Sequence, residues 1–195
     1  MSTTDRRARE RELRHRLILD KARALAETEG WDAVTTRRLS TLIEYSQPVL
    51  YDHFRNRDAI IAAIAVEGFA ELADVLDEAR SEVPEGEPEL SAVVRAYMRF
   101  AEAGPAVYEA MFGRDLPLAF AVEETPEPLK AAFAVILEVV APHADGRDPE
   151  TLAEVVWASV HGLVTLRRDH RLRPGEDEAR AAALVELIGG RKKGG

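Results

Sequence analysis

The chain has 195 residues, no cysteine and no run approaching the roughly 20 apolar residues of a membrane span, which sets aside disulfides, thiolate metal sites, thiol catalysis and a membrane anchor. Its formal net charge of −9 argues against a polyanionic partner only until its distribution is read, because residues 1–57 hold 12 Lys and Arg against 9 Asp and Glu, and the remainder holds 14 against 26. A basic head of +3 on an acidic body of −12 suits a protein that meets nucleic acid with one end.

A first helix is expected over residues 5–29, with Asp5 as a candidate cap and Leu13, Leu17, Ile18, Ala22 and Leu25 recurring at helical spacing. Six arginines between Arg6 and Arg16 crowd its first turns. They are read either as a solvated charged face or as an arm and helix start that contact phosphates. Gly30 ends the helix, and Trp31 and Val34 follow as core residues.

Residues 35–57 contain two short helical patterns a few residues apart. The first starts at Thr35 or Thr36, whose hydroxyl can cap free backbone N–H groups, and aligns Leu39, Leu42 and Ile43. The second starts at Ser46, with Pro48 just inside it and Leu50 and Phe54 as its apolar side. Helices this short are marginal alone, so they must pack on a neighbour and serve the surface they present. On the second helix that surface is Gln47, Val49, Tyr51 and His53, with Arg55 and Arg57 beyond. These groups hydrogen-bond base edges, touch thymine methyls and contact phosphates when a helix lies in a major groove. The pattern is a helix-turn-helix.

A long helix is expected from Arg57–Asp58 to about Ser81, with Ile60, Ile61, Ile64, Phe69, Leu72 and Leu76 buried. The Pro84–Pro88 segment breaks it. Further helices follow from Glu89, from Pro105, from about Pro128 to Val140, from Pro149 to Asp169 and from Glu176 to Gly189. Between Gly113 and Pro128, three prolines imply loops around a short turn at Leu118–Glu123. No strand-type alternation occurs, so the class is all-α. Small residues in the last two helices, among them Ala158, Ser159, Gly162 and the run Ala181–Ala183, allow close approach, either within the monomer or to a copy of the chain.

The stretch Thr36-x-Arg38-Leu39-Ser40, followed by Ser46-Gln47-Pro48-Val49-Leu50-Tyr51-Asp52-His53-Phe54-x-Asn56-Arg57, resembles the DNA-binding element of the TetR family of bacterial repressors. Three positions depart from that pattern. Glu44-Tyr45 replaces a Gly-Val turn, Asp52 sets a carboxylate among phosphate-facing groups, and Arg57 stands where lysine is usual. If Glu44 adopts the left-handed conformation, the strain is roughly 1 kcal/mol. Further on, Trp157-Ala158-Ser159-Val160-His161-Gly162 is similar to the Trp-x-x-x-His-Gly pattern of one C-terminal ligand-binding class of that family, as is the segment from Tyr97 to Phe112.

The resemblance implies a helix-turn-helix domain over 1–57 and a helical effector-binding and dimerisation domain over 58–195. It further implies a homodimer through the last two helices, a double-stranded operator and a small, largely apolar effector. Among the DNA-facing residues, Arg37 and Gln47 are the candidate base contacts and Val49 the methyl contact. Thr36, Tyr51, His53 and Arg57 are the candidate phosphate contacts, and Pro48 opens the helix that carries most of them. Tyr97, Phe100, Met111, Phe112, Phe133, Trp157 and His161 are the effector candidates, with ordinary core packing as the rival reading of each. His161 reads as a core histidine bonded to a carbonyl, as a ligand contact or as a titrating switch.

The histidines lack the i, i+4 spacing of a helical zinc site, so no metal or cofactor is expected. Catalysis is not expected either; a helical enzyme would need His161, Asp145 and Glu154 around one wet cleft. The alternative within DNA binding is a regulator or activator that responds to no effector.

Overall fold

The computed structural model describes residues 3–113, 116 and 118–189; Pro117, one of the prolines expected to break the helical pattern, lies outside them. All regular structure among the described residues is helical, and it falls into two units. One comprises the chain up to Gly68 together with Gly104–Ala119, and the other comprises Phe69–Ala103 together with the chain from Phe120 onward. The expected boundary at 57/58 therefore falls within the first unit.

In the first unit, α1 (Thr3–Glu29) is followed by a 3-10 turn at Trp31–Ala33, then α2 (Thr36–Leu42), α3 (Gln47–Tyr51) and the start of α4 (Arg57–Ser81). The 27-residue α1 begins before Asp5, so that carboxylate lies in its first turn instead of capping it. Gly30, at φ 81, ends it. The buried stripe is Ile18, Leu19, Ala22, Leu25 and Ala26, joined by Trp31, Val34, Leu39, Ile43, Leu50 and Phe54. Leu13 and Leu42, expected on the core faces, are instead 70% and 44% exposed. Helical spacing marks a stripe, but the partner elements cover only part of it.

The short α6 (Pro105–Phe112) belongs to the same unit. Glu27 of α1 caps it, accepting from the Ala106 N–H at 3.1 Å and the Val107 N–H at 3.2 Å. Trp31 Nε1 donates to the Ala106 carbonyl at 2.8 Å. Gly68 lets α6 approach, because a Cβ there would lie 2.7 Å from Val107 Cγ1 and 2.9 Å from Met111 Sδ.

The second unit holds the rest of α4, α5 (Glu89–Ala103), α7 (Glu127–Val140), α8 (Pro149–Arg168) and α9 (Asp177–Gly189). Its core is Phe69, Leu72, Leu76, Leu90, Val93, Val94, Tyr97, Ile136, Val156 and Val160. Asp148 caps α8 by accepting from the Thr151 N–H at 2.8 Å and its hydroxyl at 2.7 Å, which holds the carboxyl below its usual pKa. Before α7 the tight turn is closed by Thr125, whose N–H donates to the Val122 carbonyl at 3.1 Å and whose Oγ1 accepts from the Val122 N–H. It therefore sits slightly later than the 118–123 expected.

Candidate nucleic-acid interface

Thr35 supplies the cap of α2, its Oγ1 accepting from the Arg38 N–H at 3.2 Å. This frees Thr36, whose hydroxyl lies 3.5 Å from the Tyr51 hydroxyl on α3. Between the helices Glu44 has φ 59, the left-handed conformation considered from the sequence, and the Tyr45 N–H returns to the Ser40 carbonyl at 3.1 Å. With Ser46 in extended conformation as cap and Pro48 in the first turn, α3 starts without needing the missing proline N–H.

One side of α3 is anchored and the other is open. Leu50 is fully buried and Phe54 is 5% exposed, whereas Gln47, Pro48 and Tyr51 are exposed and Val49 is half-buried. Burial of each large anchor contributes roughly 1.5–3 kcal/mol, which offsets the low intrinsic stability of a five-residue helix. Arg37 is exposed beside this surface. His53 is half-buried, and its imidazole is held below the usual histidine pKa, first by burial and then by Arg11, His15 and Arg14, against the opposing charge of Asp52.

The remaining arginines divide by partner. Arg57 is drawn back into the head: its Nη2 donates to the Trp31 carbonyl, and it lies 3.8 Å from Asp32. Arg38 pairs with both carboxylate oxygens of Glu29, which lowers the pKa of that carboxyl and raises that of the guanidinium. Arg11 Nη2 donates to the Asp52 carbonyl at 3.0 Å and so fixes the end of α3 to α1. Sequence spacing gave no sign of that contact, since its partners are 41 residues apart.

Two family models match this chain: "Bacterial regulatory proteins, tetR family" over residues 18–64 and "Tetracyclin repressor-like, C-terminal domain" over residues 90–188. The chain belongs to the TetR family. Its relatives include the uncharacterized HTH-type transcriptional regulator YobS of Bacillus subtilis, 33% identical over 98 residues, covering 50% of this chain and 51% of the relative. An uncharacterized HTH-type transcriptional regulator of Mycobacterium tuberculosis is 27% identical over 163 residues, 82% of this chain and 72% of its own length. The chain thus spans about half the length of the first relative and nearly three quarters of the second. A protein of unknown function from Rhodococcus sp. RHA1 superposes with a TM-score of 0.75 at 25% identity, covering 90% of this chain and 93% of that one. The matched families and the named relatives are transcriptional regulators, not enzymes. Asp145 and Glu154 are exposed, and His161 lies 3.4 Å from the Thr165 hydroxyl.

The effector candidates are distributed over both units. Met111 and Phe112 belong to the first unit; Tyr97, Phe100, Phe133, Trp157 and His161 belong to the second. Within the second, Trp157 Nε1 donates to the Tyr97 hydroxyl at 3.0 Å, and the Phe133 and Trp157 rings lie 5.5 Å apart. Tyr97 and Trp157, with Leu90, Val93, Ile136 and Val160, border a gap of only about 10 Å³. Phe100 is half-buried, and His161 is half-buried with its pKa lowered by burial and by Arg168.

The outer faces of α8 and α9 carry exposed apolar side chains: Val155 at 51%, Leu166 at 41% and Leu187 at 77% exposure, with Ala158, Ala182 and Ala183 among them. No helix among the described residues is long and apolar enough to cross a membrane, and none of their acidic and histidine side chains cluster as a metal site would require.

Proposed function

We propose that this TetR-family chain is a transcriptional repressor that binds a palindromic DNA operator as a homodimer and is released by a small, largely apolar effector. One observation carries the DNA-binding part. The polar face of α3 is open while its opposite face is anchored by Leu50 and Phe54, so Gln47, Pro48, Val49 and Tyr51 are fixed in orientation yet free to enter a groove. Gln47 and Arg37 read base edges, Val49 meets a thymine methyl, and Thr36, Tyr51 and His53 take phosphates. Arg57 serves both phosphate and fold, given its bond to the Trp31 carbonyl.

The exposed apolar residues of α8 and α9 support pairing of the last two helices with those of a second copy. Two reading helices spaced by about 34 Å, one turn of DNA, would then engage two half-sites. The effector would act through unequal affinity for the two states of the dimer. The second reading is a regulator that responds to no effector; thermal-shift screening against apolar compounds separates the two, since that regulator would show no stabilising hit.

Selection of bound sequences from random duplexes tests the proposal. The expected outcome is a two-fold symmetric consensus that Gln47→Ala binds with reduced preference over random DNA. Equal discrimination by wild type and Gln47→Ala would remove α3 from the groove.

A further inference from the structure

We propose that engaging a DNA phosphate beside His53 draws a proton from solvent onto that imidazole, so that duplex affinity rises as pH falls through neutrality. This inference rests on the DNA-binding reading above.

The geometry is a small cluster at the end of α3. His53 follows the Asp52 cap of the helix, and its ring centroid lies 6.0 Å from that of His15 on α1. His15 is stacked on Phe54, with centroids 4.6 Å apart and planes 26° from parallel. Because Phe54 is core, the stack holds His15 in place. Nδ1 of His53 is buried without a hydrogen-bond partner among the described residues. The charged and titratable groups facing the ring are Arg11, Arg14 and His15 from α1 and Asp52, the C-terminal cap of α3. Arg11 cannot swing aside without losing its 3.0 Å bond to the Asp52 carbonyl.

In the absence of DNA the fixed cations and the partial burial oppose an imidazolium, and Asp52 alone favours it. A phosphate adds a negative charge to the side of the ring that solvent reaches. That charge favours the imidazolium and also screens it from Arg11 and Arg14. Whatever raises proton affinity in the complex must, by linkage, raise DNA affinity as protons become available.

The test uses the full chain and a fluorescent duplex carrying the consensus obtained by selection, with binding followed by anisotropy from pH 5.5 to 8.5 at constant ionic strength. The expected result is an affinity about threefold to tenfold higher at pH 6 than at pH 8, one group titrating per head. In His53→Gln the ratio between those pH values collapses to near one, and in His15→Gln most of it remains. As a check independent of variant folding, calorimetry of the wild-type complex in two buffers of different ionisation enthalpy reads net proton uptake on binding. No uptake, a pH-independent wild type, or a dependence that survives in His53→Gln overturns the proposal while leaving DNA binding intact. Failure to bind any selected duplex at any pH overturns the DNA-binding reading with it.

Discussion

Thr36 on α2 and Tyr51 on α3 bring their hydroxyls to within 3.5 Å across the helix-turn-helix. Each was expected to meet a phosphate by itself. At this separation either hydroxyl can orient the other, so the two proposed contacts are expected to be coupled. Thr36→Val and Tyr51→Phe should each weaken duplex binding, and the double variant should weaken it by less than the sum. A coupling of about 0.5–1 kcal/mol in a double-mutant cycle on the binding constant is expected, and strictly additive losses would mean independent phosphate contacts.

Glu44 at φ 59 occupies the turn where a TetR-family sequence usually places glycine. Its carboxylate is exposed, so it has little packing to lose on replacement. Glu44→Gly should raise the unfolding free energy by up to about 1 kcal/mol, because relief of left-handed strain outweighs the added freedom of the unfolded chain. A lower melting temperature in Glu44→Gly would show that the strain is not there.

The two preceding features differ in how far they could be read from sequence. The starts of α2 and α3, the turn and the anchors Leu50 and Phe54 are set by residues a few positions apart, and these were legible. Glu27 was not, because its partners at Ala106 and Val107 lie about 80 residues on and carry no side-chain signal; the same holds for the Trp31 carbonyl that occupies Arg57. Leu13 and Leu42 kept helical spacing, yet among the described residues their neighbours leave them 70% and 44% exposed. The aromatic set from Tyr97 to Phe112 looked continuous in composition, whereas the break at Gly104-Pro105 assigns Met111 and Phe112 to a different unit from Tyr97.

The Glu27 contact has a measurable consequence. Glu27→Ala would leave the Ala106 and Val107 N–H groups at the start of α6 without their acceptor, at a cost of about 1–2 kcal/mol. Gly68→Ala should also destabilise, by about 1–3 kcal/mol, since the new methyl meets Val107 Cγ1 at 2.7 Å and Met111 must shift. Chemical denaturation of each variant checks both, and wild-type stability in Glu27→Ala would show that water replaces the carboxylate without loss.

The proposed pairing of α8 and α9 places Leu187, 77% exposed in one copy, at the seam. Leu187→Glu should shift the chain towards monomer in sedimentation equilibrium while its helical circular dichroism is retained. Unchanged mass would move the dimer contact elsewhere. If the proposed pairing links the two heads, the same variant should lose affinity for a full operator much more than for a single half-site.

His161 gives the second unit its own dependence on pH. Burial and Arg168 lower its proton affinity in the folded chain, so between the lowered value and the ordinary 6.5 the unfolded chain binds more protons. Stability contributed by this residue is therefore fully present above about pH 6.5 and is lost as pH falls through and below that value. The Thr165 hydroxyl at 3.4 Å does not offset this, because a hydroxyl can bond the neutral ring as readily as the charged one. Replacement by glutamine removes the titration while keeping a polar group near Thr165. The fall in melting temperature between pH 7.5 and pH 5 should be smaller in His161→Gln than in wild type. An equal fall in both would mean that the imidazole accepts its proton in the folded chain without penalty, and the acid sensitivity would then belong to other groups.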